Sequence, residues 1–252
     1  MVSNYDLDIR GTSSLFGDKE YNKVSVRGTF SNKGSITAKE FNFFGTASIR
    51  GSLMGEILLV KGSILVTGDI LCEMIEIPGT CSVGGKVEAD ILYSRGSLSI
   101  GDTLKAEKLG VRGSLSSDGQ IKINSEISSF GSLSAKDDIF AYEISTLGAI
   151  SSTKSIVTKG DIFVEGKISA DENVECKEFN FKISNDCTIK DRLIAEKIKI
   201  DLSEKAKRDY YLKVKEIICT KELEIDYVIA DKVICPKAKI GPNCVIRKVE
   251  KS

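Results

Sequence analysis

The chain contains neither tryptophan nor histidine, and only three of its 252 residues are proline. Without histidine it lacks the side chain that most often moves protons near neutral pH and most often ligates metal ions. Net charge is absent too. The 36 basic residues balance 36 acidic ones, so no global field draws the protein to nucleic acid. Few prolines and a hydrophobic content of 41% argue for an ordered chain with a sizeable core. No apolar run of about 18 residues is long enough to span a bilayer, and MVSNYDLDIRG at the start has neither the basic nor the apolar region of a secretory signal. The expectation is a cytoplasmic protein. Its seven cysteines are odd in number and form no CxxC pair, so they read as reduced thiols. No phosphate-binding glycine motif opens a helix, and nucleotide dependence is not indicated.

What the chain does have is a repeat. RGSLS at 95–99 returns at 112–116, a step of 17. Stepping back from Gly96 by the same interval lands on Gly79, Gly62, Gly45, Gly28 and Gly11; stepping forward reaches Gly113 and, with single insertions, Gly131, Gly148 and Gly166. With each glycine as position 1, position 14 is apolar throughout, from Val24 and Phe41 to Ile162 and Phe179. Positions 3 and 9 are apolar except for Ser13 and Lys19 in the first repeat. A second inward residue follows two places after each, as in Ile64/Val66, Ile70/Cys72 and Ile75/Ile77. Spacing by two means strand.

Three short strands per repeat cannot bury an apolar face singly, but coils stacked along an axis share a continuous core. The pattern predicts an all-β fold, a right-handed parallel β-helix of triangular section with about 17 residues per coil. Left-handed hexapeptide helices use steps of about 18. Glycine is expected at the corners for tight turns, often at positive φ. The main body runs over 1–200, 201–211 (DLSEKAKRDYY) reads as a charged loop or short helix, and 212–252 reads as terminal coils that are a possible cap. Beyond the interruption the alternation is picked up from Leu223/Ile225 to Cys244/Ile246, for about 13 coils in all.

Repeats such as GSILVTGDI (62–70) and GKI (166–168) resemble the bactofilins, bacterial cytoskeletal proteins built on a right-handed β-helix. The length and the ending ADKVICPKAKIGPNCVIRKVE (230–250) are similar to the longer Gram-positive forms. The resemblance implies nucleotide-independent polymerisation through terminal coils into non-polar filaments that serve cell shape, wall synthesis or motility. Implied partners are further copies of the chain, a paralogous bactofilin, and envelope or membrane proteins. The chain departs from the shorter pattern in lacking flexible tails and an apolar N-terminal targeting segment, so membrane association is expected through partners.

The open end of a β-helix exposes unpaired backbone groups above an apolar core. The candidate end-to-end interface is therefore Leu7, Ile9, Leu15, Val24 and Val26 at one end, and Ile240, Cys244 and Ile246 at the other. Ser13 and Lys19 count against a sticky N-terminal end, and Pro236 and Pro242 limit pairing at the C-terminal one. A second candidate is a lateral face of small hydroxyls at positions 2 and 4: Ser82, Ser97, Ser99, Ser114, Ser116, Ser132 and Ser134. Cross-strand stacking and mutual hydrogen bonding explain such a row, and packing against another rod or a glycan is the sharper reading.

The chain is read as non-enzymatic, with no catalytic residue, cofactor, metal site, small-molecule substrate or nucleic-acid partner assigned. Hexapeptide acyltransferases need the missing histidine, and carboxylates such as Glu73, Glu88 and Asp90 are scattered over outward positions. Cys72, Cys81, Cys176 and Cys187 fall in inward columns, while Cys219, Cys235 and Cys244 are spaced unlike known zinc frameworks. The alternative function is a carbohydrate-binding module or carbohydrate-active enzyme that uses one long face.

Overall fold

The computed structural model describes residues 5–251. Those residues form strands and turns with no helix, and hence none long and apolar enough to cross a membrane. The chain divides into two units, Met1–Lys122 and Ile123–Ser252. Both are parallel β-solenoid. Together they hold about 14 turns.

In the first unit each coil pairs with the next in a register of 17, as in Leu7↔Val24, Val24↔Phe41 and Phe41↔Leu58. A coil comprises a short strand such as Thr80–Val83 and a longer one such as Val87–Ser94. The longer strand bends in its middle. Pairing runs through Glu88↔Lys105 and Ala89↔Ala106, omits Asp90, and resumes at Ile91↔Lys108. Position 12 is thus a third corner, and each coil presents three faces: positions 2–5, 9–11 and 13–16.

The inward columns are as the alternation requires. Ile64, Cys81, Leu98 and Leu115 stack on the first face, Ile70, Val87 and Leu104 on the second, Ile75, Leu92 and Leu109 on the third, and all are buried. At roughly 1.5–3 kcal/mol per fully buried aliphatic side chain, these columns are the main favourable contribution to the fold. One buried polar side chain serves a corner. Asn32 is fully buried, and its amide donates to the carbonyl oxygens of Gly17 (3.3 Å) and Gly34 (2.8 Å).

The corner glycines have a different reason from the one the turns suggested. Among the described glycines only Gly17, Gly34 and Gly166 have positive φ. In the column Gly28, Gly45, Gly62, Gly79, Gly96 and Gly113, a Cβ would overlap the carbonyl oxygen of the glycine one coil earlier. That oxygen accepts the amide N–H of the next residue along, as in Thr80 N to Gly62 O and Ser97 N to Gly79 O, both 2.9 Å. Overlap with the backbone of the preceding coil, and not a positive φ, excludes a side chain there. The next corner is held by a side-chain ladder: Asp18, Ser35, Ser52 and Asp69 each accept the backbone N–H of the residue one coil on, at 2.8–3.1 Å.

The second unit drifts in register. Ile144↔Ile162 is a step of 18, and Phe179↔Ile198 one of 19. The strand Cys187–Leu202 pairs with Leu212–Ile225 across Ser203–Tyr211, which is turn and bend and contains no helix. The β rhythm resumes at Leu212/Val214 and Ile217/Cys219, earlier than the alternation from Leu223 indicated. This accounts for the additional turn.

Candidate functional site

The first unit begins with Asp6–Ile9, whose Leu7 and Ile9 lie against Val24 and Val26. Leu7 and Leu15 are half-buried, but Ile9, Val24 and Val26 are buried. Val24 and Val26 therefore belong to the core and do not form an end surface, because Leu7 and Ile9 cover them from one side and Phe41 and Phe43 from the other. Ser13 and Lys19 are half-buried in the same outermost coil.

In the second unit the last coil is exposed where its neighbours are not. Ile240 pairs with Ile225 and is 38% exposed against 1%; Val249 pairs with Val233 and is 50% exposed against 0%. Ile246, over Ala230, and Cys244 are half-buried. Pro236 and Pro242 are exposed beside them. Columns fully covered one coil further in thus stand partly open at Leu7 and Leu15 and at Ile240 and Val249.

The seven lateral-face serines all point outward. In the first unit Ser82, Ser99 and Ser116 share one column, and Ser97 and Ser114 another. Among the described residues no hydrogen bond joins these hydroxyls to each other. In-register parallel coils hold equivalent oxygens about 4.8 Å apart, beyond hydrogen-bond reach. The row is a stack of solvent-facing hydroxyls and not a bonded ladder.

All seven cysteines are free. Burial pushes the thiols of Cys72, Cys81 and Cys176 up to about 12, and those of Cys187 and Cys219 up to about 11. Such groups behave as small hydrophobes. Among the described residues no group of three Cys, Asp or Glu side chains is arranged to hold a metal ion.

A groove of about 710 Å³ lies in the second unit between the 203–211 loop and the corner formed by Leu147–Ala149 and Glu165–Lys167. The loop is moored there: Ser203 Oγ donates to Glu165 (3.0 Å) and Lys205 pairs with the same carboxylate (3.0 Å). Lys205 and Ser203 hold the Glu165 carboxyl below its usual range. Phe130 and Tyr210 also line the groove, and Glu165 is the sole carboxylate among the described lining residues. Glycoside hydrolysis ordinarily uses two.

The alternation did not single out the third face of the first unit. Its outward residues include Ile57, Met74 and Ile91 in one column and Leu59, Glu76 and Tyr93 in the next. Ile57, Met74 and Tyr93 are 46%, 37% and 41% exposed. The signal was present in ILLV (57–60), where both outward positions are as apolar as the inward ones, and in the outward Met74 of MIEI (74–77).

No protein-family model matches the chain, and comparisons with curated proteins and with solved structures find no match. The fold and its surfaces define a parallel β-solenoid with partly open end coils.

Proposed function

We propose that the protein is a non-enzymatic scaffold that assembles with itself through its end coils into nucleotide-independent filaments or oligomers. Its setting is the cytoplasm, in support of cell shape, the envelope or motility, as the bactofilin resemblance implies. The observation that carries this reading is the exposure of the inward columns at Ile240 and Val249 and at Leu7 and Leu15. An apolar column continued by another coil buries these side chains, and parallel pairing supplies partners for edge backbone groups.

Electron microscopy of negatively stained protein, with sedimentation, across salt concentrations and without nucleotide, tests it. Filaments or discrete end-joined oligomers are expected; a monodisperse single particle at every salt concentration overturns it. The alternative of carbohydrate binding along one face has the groove beside Tyr210 in its favour. Retention on immobilised glycan, with no self-assembly, would select that alternative.

A further inference from the structure

Over the three coils from Gly45 to Arg95 the third face of the first unit presents Ile57, Leu59, Met74, Ile91 and Tyr93, with Glu76 among them, between two edges of opposite charge. The edge at position 12 carries Glu56, Glu73 and Asp90, all exposed. The edge at position 17 carries Arg27, Lys61 and Arg95, also exposed. Among the described residues none of these six has an ion-pair partner. Elsewhere acids are paired coil by coil, as in Lys23–Glu40 (2.9 Å) and Lys105–Glu88 (3.0 Å) in the first unit and Lys197–Glu178 (2.7 Å) and Lys221–Glu196 (2.6 Å) in the second. Between the unpaired edges lie the exposed Ile57, Met74 and Tyr93. Charge at the rim and apolar side chains at the centre are the anatomy of a protein interface.

We infer that this face packs against the same face of a second copy, with the two solenoid axes parallel and a two-fold axis running along them. The charge pattern selects that arrangement. Rotation about an axis parallel to the solenoid turns left into right and keeps each coil level with its equivalent. Glu56 and Asp90 of one copy then oppose basic residues of the other, on both sides of the contact, while Glu73 opposes Pro78 and Arg27 opposes Asn22. Rotation about an axis along the strands gives an antiparallel pair and sets acid against acid and base against base. In the parallel pair Glu56 meets Lys61 of the second copy, and Asp90 meets Arg95. One coil earlier, Lys39 meets the exposed Phe44 ring, which already carries Lys61 at 5.3 Å within its own chain.

The face is roughly 16 Å wide, and the coils from Gly28 to Arg112 extend about 24 Å, so about 400 Å² of each copy is covered. A total near 800 Å² lies below the roughly 1,200–2,000 Å² of stable complexes, so the dimer is weak and salt-sensitive. This contact uses none of the end-coil residues, and its test reads separately from end-to-end assembly.

The test is sedimentation of the full chain from about 1 to 100 μM at low salt, a range suited to a weak contact. Wild-type protein is expected to dimerise with concentration, while Asp90→Arg and Arg95→Asp each lose the dimer. Mixing the two single variants in equal amounts is expected to restore it, because positions 90 and 95 are then both basic in one copy and both acidic in the other. The double variant is expected to dimerise as wild type does. Within one chain the two positions are roughly 16 Å apart, so an internal ion pair cannot produce this rescue. Carbodiimide cross-linking of a 1:1 mixture of ¹⁴N and ¹⁵N protein is expected to give a Glu56–Lys61 link of mixed isotope. A wild-type protein with no dimer at 100 μM, single variants that dimerise normally, a mixture that stays monomeric, or a Glu56–Lys61 link only within one chain each overturns the inference. Loss of filaments without loss of this dimer bears on the end coils alone.

Discussion

The carbonyl oxygen of Gly79 occupies the place where a Cβ on Gly96 would lie, and it accepts the Ser97 amide at 2.9 Å. The same relation repeats from Gly11–Gly28 to Gly96–Gly113, so the column of glycines marks where a Cβ would point into the backbone of the preceding coil. Gly17 differs, because a Cβ there meets nothing within 4 Å but its φ is 78°.

Gly96→Ala is therefore expected to cost at least about 2–3 kcal/mol, since backbone must move to admit the methyl group. Gly17→Ala is expected to cost about 1–2 kcal/mol through conformation alone. Urea unfolding of both variants checks the order, and equal losses would contradict the steric account.

Ile240→Lys and Leu7→Lys are each expected to abolish end-to-end assembly while leaving the fold in place. Both side chains lie in outermost coils, where a charge remains hydrated. Electron microscopy with circular dichroism measures this. Val24→Lys serves as the contrast: its position is fully buried, so it is expected to unfold the first unit.

Acid is expected to loosen the C-terminal coils before the first unit's centre. The carboxyls of Glu196, Glu222, Glu224 and Glu250 are held below their usual range, chiefly by hydrogen bonds from Lys221, Lys237, Lys239 and Lys248. A depressed folded-state pKa contributes stability above the unfolded value of about 4.3, and that contribution is lost as pH falls through the folded value. These groups are exposed, so each effect is small. Hydrogen exchange at pH 7 and pH 3 is expected to show protection falling more over 196–250 than over 53–94.

Thiol reagents at pH 8 are expected to modify Cys244 first in the native protein. It is half-buried; Cys176, also half-buried, has its thiol pushed up to about 12, as have Cys72 and Cys81, which are buried. All seven are expected to react in urea. Mass spectrometry of timed samples follows the order, and early labelling of Cys81 would contradict its packing.

The coil was legible because its physics is local and periodic. A strand buried on one side alternates, so Ile64/Val66, Ile70/Cys72 and Ile75/Ile77 declare three faces, and the return of glycine declares the length of a turn. The second half was harder to follow. Insertions move Phe179↔Ile198 to a step of 19, and the 203–211 loop hides the resumption at Leu212. Interfaces were less legible still, since Val24 and Leu7 share one column and nothing in their identity tells which of them is covered.

By itself the sequence determined the solenoid, its strand-by-strand inward set and the small hydroxyls of its first face, because each depends on a residue's own period. Only the tertiary structure decided the rest. It showed that the corner glycines answer to a carbonyl one coil away, that the described hydroxyls of the first face do not bond to one another, and that Ile57, Met74 and Tyr93 lie between an acidic and a basic edge. The first two are relations between residues a full turn apart and the third depends on where each coil bends, so folding and stacking set them.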